Sequence, residues 1–126
     1  MLLSEGYFVT ATYAHDEDTA KKFETLFPNE VEHFELLKID QSNKADVQLL
    51  AEHVKQHGPL DCLVCNAGMT LRKGITDFTD EEWEKVMQVY VNASVFLTRD
   101  LYSCISNNAR IVFIGSEMGA ILMAHH

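Results

Sequence analysis

Three apolar, strand-like runs of this 126-residue chain end on residues that could do chemistry. "HFELLKID" ends at Asp40, "LDCLVCN" at Asn66 with Ala67 and Gly68 behind it, and "RIVFIGS" at Gly115 and Ser116. A carboxylate accepts hydrogen bonds, a primary amide both donates and accepts, and a hydroxyl does either. Ala67 and Gly68 are the two smallest residue types, the kind used where something must come close to a backbone. In an open parallel sheet such strand ends converge on one crevice, where ligands bind. Each residue also has a plain structural account: Asp40 as part of a helix cap, Asn66 in a turn, Ser116 in a loop.

The elements that would position these residues alternate. Residues 2–6 read as the last turn of a helix stopped by Gly6. Residues 7–13, rich in β-branched and aromatic types, predict a strand, followed after an acidic cap by a helix ending at Pro28 and Asn29. Residues 33–40 predict a strand, 43–57 a helix closed by Gly58 and Pro59, and 60–66 a third strand. Thr79, with Glu82 completing a capping box, predicts the start of a long helix. Residues 110–116 predict a fourth strand. Residues 86–98 carry no formal charge, so the middle of the long helix is expected to be buried all round, in the core or against another subunit. This rhythm implies right-handed crossovers and a doubly wound parallel α/β sheet in one domain.

Composition narrows the function. A net charge of −9 and a pI near 5.0 argue against non-specific nucleic-acid binding, because acidic side chains repel phosphates. No run approaches the roughly 20 apolar residues that span a bilayer, and residues 1–6 lack the character of a signal peptide, so a cytoplasmic protein is expected. Cys62, Cys65 and Cys104 cannot all pair. Cys62 and Cys65 point to opposite faces of a strand, and no second CxxC completes a zinc site, so buried thiols and no metal are expected. His53 and His57 lie four apart on a helix, but without a third ligand a solvated helix end is the expectation.

With those residues in view, the chain resembles the short-chain dehydrogenases/reductases. "CNAG" resembles the family's NNAG motif with Cys65 in place of the first Asn. "VYVNASVFL" resembles the helix bearing its active-site Asn, and "RIVFIGSEMGA" the strand leading to its catalytic Ser. Order and spacing agree over nearly the whole chain. The resemblance implies a Rossmann-like fold and an oxidoreductase moving a hydride between a nicotinamide cofactor and a carbonyl/alcohol substrate. It implies that Asp40 takes the adenine amine with the Gln41 backbone beside it, and that Asn66, Ala67 and Gly68 lie against the cofactor. Ser116 and Asn92 would be catalytic, Ser116 bonding the substrate oxygen and Asn92 orienting a lysine through water. A buried Asn can also simply satisfy a kink. The stretch after the strand at residues 7–13 reads Tyr13, Ala14, His15, with no acid to take ribose hydroxyls. It looks like that of NADPH-using 3-oxoacyl-carrier-protein reductases, so NADP(H) is favoured and NAD(H) remains an option. Relatives imply a homodimer or homotetramer.

Two parts of the family pattern are missing. Its first strand and glycine-rich loop would precede Met1, and its Tyr-x-x-x-Lys would follow His126. The 126 residues are therefore expected to be an incomplete copy of a longer enzyme, inactive by themselves. With strands about 4.8 Å apart, a missing strand between those ending at Tyr13 and Asn66 leaves a slot roughly 10 Å wide. The alternative is a non-catalytic α/β module that binds a nucleotide or a protein partner.

Overall fold

The computed structural model describes residues 2–116. Four strands alternate with helices: β1 (Val9–Tyr13), α1 (Glu17–Leu26), β2 (Phe34–Lys38), α2 (Lys44–Gln56), β3 (Leu60–Cys65), α3 (Asp80–Met87), α4 (Ala93–Leu101) and β4 (Ile105–Phe113). The helix starts follow the local sequence. Asp16 caps α1 by accepting from Thr19 N at 2.8 Å, and Asn43 caps α2 by accepting from Ala45 N at 2.9 Å. At α3, Thr79 Oγ1 accepts from Glu82 N at 3.2 Å while Glu82 accepts from Thr79 N at 3.0 Å, closing the expected capping box. The 3-10 turn Leu3–Glu5 stops at Gly6, whose φ of 85° is a left-handed conformation that glycine adopts without strain.

Both strand pairings are parallel. β1 pairs with β2 from Val9 opposite Phe34 to Tyr13 opposite Lys38, and β3 pairs with β4 to Cys65 opposite Phe113. Among the described residues these are two separate two-stranded sheets. Their separation accords with the slot expected between the strands ending at Tyr13 and Asn66. The pairs are joined instead by side chains, since α2 lies on α4 and their buried faces form one core of Ile39, Val47, Leu50, Ala51, Ala93, Leu97 and Leu101. Leu37 from the first pair and Leu60 and Ile105 from the second pack against this core.

Three details depart from the sequence reading. The long helix is broken: residues Gln88–Asn92 form a π turn, in which Ala93 N reaches back to Gln88 O. The run Val-Tyr-Val-Asn has weak helix propensity, so an extra residue in the ladder costs little there. Nor is the uncharged stretch buried all round, because Tyr90, Val91 and Val95 are exposed while Val89, Ala93, Ser94 and Leu97 are buried. Lastly, β4 begins at Ile105 rather than residue 110, with an irregularity in register between Leu60 and Cys62 of its partner strand, where Ser106 Oγ donates to Asp61 at 2.7 Å.

The joint between the pairs should be the most sensitive part of the fold. Leu101, 1% exposed, should cost about 2–5 kcal/mol of unfolding free energy when changed to Ala. Gln48→Ala on the exposed side of α2 should change urea stability by less than about 0.5 kcal/mol.

Candidate functional site

The β3 and β4 strands run side by side in the same direction, and Ile114 N donates to Cys65 O at 3.1 Å just beyond their last pair. The chain therefore leaves both strands at one end, residues 66–68 beside residues 114–116. Asn66, Ala67, Gly68 and Ser116 are all exposed there. The Asn66 amide has no hydrogen-bond partner among the described residues. Gly115 faces open space.

Asp40 follows β2, and its carboxylate is partly spent on its own turn. Oδ1 accepts from Ser42 N at 2.9 Å and from Ser42 Oγ at 2.7 Å, while Oδ2 faces His15 Nε2 at 3.7 Å. The Ser42 hydroxyl, then the Ser42 backbone N–H, hold the carboxyl below its ordinary value against the opposing effect of burial, and His15 adds to them. The backbone N–H of Asp40 donates to Asp46 at 2.9 Å, which ties the turn to the first turn of α2. The cap of α2 is Asn43, so Asp40 stabilises the approach to the helix, with Oδ2 turned toward His15 and not bonded to its own turn.

The π turn gathers these strand ends. Gln88 Nε2 donates to Gln41 O at 3.4 Å, and Asn92 Nδ2 donates to Gln88 Oε1 at 3.3 Å, so Asn92 is linked through Gln88 to the turn after β2. On the other side Tyr90 Oη donates to Met69 O at 2.6 Å and accepts from Met69 N at 3.1 Å, reaching the turn after β3. A π turn widens the helix by one residue, which lets Gln88 and Tyr90 serve two different loops. Ser42, Gln88 and Asn92 line a cavity of about 560 Å³ together with Trp83, Lys85 and Met87. The loop before α3 is pinned by Lys73, which bonds both carboxylate oxygens of Glu82 at 2.7 and 2.9 Å.

All seven residues singled out from the sequence thus lie at or beside strand ends and the π turn. Sequence reasoning missed Gln88 and Tyr90, which link them. It also treated the helix end at His53 as solvated. In the structure His53 Nε2 lies 2.7 Å from Glu35 Oε1 and both are half-buried. Burial pushes the Glu35 carboxyl up, but hydrogen bonds from His53 and Thr10 outweigh it and leave the group below its ordinary value. Among the described residues no group of three or more His, Cys, Asp or Glu is arranged to hold a metal ion, and no helix is long and apolar enough to cross a membrane.

A family model described as short chain dehydrogenase matches residues 1–126. Among curated proteins, sepiapterin reductase of Chlorobaculum tepidum is 33% identical over 68% of this chain and 36% of its own length. Elsinochrome reductase 1 of Elsinoe fawcettii is 28% identical over 94% of this chain and 45% of its own. The chain therefore spans less than half the length of these curated relatives. A solved short-chain dehydrogenase/reductase of Serratia marcescens is 25% identical with a TM-score of 0.85, covering 96% of this chain and 50% of that one. A short chain dehydrogenase of Burkholderia cenocepacia, solved in complex with NADP, shares the fold with a TM-score of 0.87 at 22% identity, over 98% of this chain and 51% of that one. The parallel α/β arrangement is thus the Rossmann-like one expected.

The depressed Asp40 pKa has a defined sign. The stability it contributes is present in full above the unfolded value near about 3.9 and is lost as pH falls through the lower folded value. Carboxyl NMR titration should therefore give Asp40 a midpoint below that value, and Ser42→Ala should move it upward.

Proposed function

The chain belongs to the short-chain dehydrogenase family, and from that premise we propose that its strand-end rim is part of the site of an oxidoreductase. The reaction is hydride transfer between NADP(H) and a carbonyl or alcohol on a small molecule. The observation that carries the reading is that the π turn bonds two strand ends, Gln41 through Gln88 and Met69 through Tyr90, while the register of β3 and β4 sets Ser116 beside the second of them.

The residues present fit a dinucleotide. Asp40 keeps Oδ2 free of its own turn and able to accept from an adenine amine, with the Gln41 backbone beside it. Asn66 and Ala67 are exposed, and Ala67 is small enough for a ribose to approach the backbone beside the Asn66 amide. When bound, the nicotinamide supplies or takes up the hydride. Ser116 would donate its hydroxyl hydrogen to the substrate oxygen as negative charge grows there, which lowers the barrier to reduction. Asn92 spends its amide N–H on Gln88 and keeps its carbonyl oxygen for a further partner in the site.

The preference for NADP(H) over NAD(H) rests on the end of β1. The nearest acid there, Asp16, accepts from both the backbone and the hydroxyl of Thr19, at 2.8 and 2.6 Å, so it is committed to capping α1. The next, Glu17, is paired with Lys38. None of the acids that follow β1 in sequence is thus free for ribose hydroxyls, and a 2′-phosphate would meet His15, whose Nε2 lies 3.7 Å from Asp40 Oδ2; the NADP-bound neighbour supports the same choice. Self-association as a homodimer or homotetramer through exposed Val91 and Val95, in the cytoplasm, completes the proposal.

In the complete gene product, Ser116→Ala should lower kcat by about 100-fold or more while changing the Kd for NADPH less than about twofold. Unchanged turnover would remove Ser116 from the mechanism. Steady-state kinetics should also give NADPH a kcat/KM at least about tenfold above that of NADH.

A further inference from the structure

At Gly68 a side chain would press on the end of Tyr90, which would have to move to admit it. A Cβ built there would lie 2.9 Å from the hydroxyl oxygen of Tyr90, and 3.2 and 3.3 Å from its Cε1 and Cζ. Backbone conformation does not demand the glycine, because the only glycines with positive φ among the described residues are Gly6 and Gly58. The same hydroxyl closes both backbone groups of Met69, donating to its carbonyl at 2.6 Å and accepting from its N–H at 3.1 Å. Tyr90 is 47% exposed, so burial alone does not hold its ring over the turn.

We infer that Tyr90 is a positioning residue that clamps the turn after β3 to the π turn carrying Asn92, and that Gly68 is small in order to admit it. The inference rests on the reductase reading only for what the clamped turn receives, namely the cofactor. Asn66 and Ala67 then form the face left open to a ligand, and Gly68 faces the protein. The energetic logic follows from the fraction of time the turn is correctly placed. Without the hydroxyl, Met69 N–H and C=O bond to water and the turn samples other conformations. A turn that is competent one tenth of the time binds about tenfold more weakly, with no contact to the ligand removed.

The test uses Tyr90→Phe, Tyr90→Ala, Gly68→Ala and the double variant Gly68→Ala/Tyr90→Ala in the complete gene product. Amide hydrogen exchange, thermal midpoint and NADPH affinity are the readouts. Tyr90→Phe should speed exchange at Met69 roughly fivefold while the amides of α2 and α4 keep their rates. It should weaken NADPH binding about three- to tenfold, the loss falling on Kd and KM more than on kcat. Gly68→Ala should lower the thermal midpoint when Tyr90 is present and have little further effect in the Tyr90→Ala background. Equal harm from Gly68→Ala in both backgrounds would mean that the glycine does not serve the tyrosine, and would overturn the inference. Unchanged Met69 exchange in Tyr90→Phe would overturn it too. If exchange and the Gly68–Tyr90 coupling behave as expected but the wild-type protein binds no NADPH, the clamp stands and the reductase reading falls.

Discussion

The two strand pairs share no backbone hydrogen bond among the described residues, so their ends are held relative to one another by side chains alone. Two contacts do this. The apolar contact between α2 and α4 sets the distance between the pairs, with Val47, Ala51, Leu97 and Leu101 at its centre. The π turn Gln88–Asn92 then fixes orientation, because Gln88 reaches the turn after β2 and Tyr90 reaches the turn after β3. Burial is non-directional and supplies cohesion, whereas the hydrogen bonds supply direction. Neither contact alone would hold a rim of separate strand ends in register.

That division of labour explains why polar residues interrupt an otherwise apolar helix. Gln88 accepts from Asn92 and donates to the carbonyl of Gln41, which links the candidate catalytic amide to the candidate adenine-binding turn. The Asp40 turn is itself braced by Ser42 and Asp46, so the outward carboxylate oxygen belongs to a group with few alternative positions. Such preorganisation is what electrostatic recognition requires, because a group that must be ordered on binding weakens the complex by the cost of ordering it.

Much of this was legible in the sequence. The caps at Asp16 and Thr79 are local devices, written in residue type and spacing, and are found where they were expected, while the helix read as starting at Asn43 is capped by that residue. The strands expected to end at Asp40, Asn66 and Ser116 end at Lys38, Cys65 and Phe113, one to three residues earlier, and the family resemblance gave the residues beyond them roles. The π turn was not readable, since the partners that Gln88 and Tyr90 find across the fold are 47 and 21 residues away in sequence. The irregular start of β4 and the Glu35–His53 pair are likewise tertiary. Gly68 is the sharpest case: its smallness was visible, but its neighbour Tyr90 was visible only in three dimensions.

If the carboxyl ends of these strands form one nucleotide-binding rim, bound cofactor must perturb all of them together. Amide shift mapping of the complete gene product on addition of NADPH tests it most directly. The account predicts that the largest shifts cluster at Gln41, at residues 66–68 and at Ser116. Shifts concentrated instead at the opposite strand ends, around Phe34 and Leu60, would contradict it.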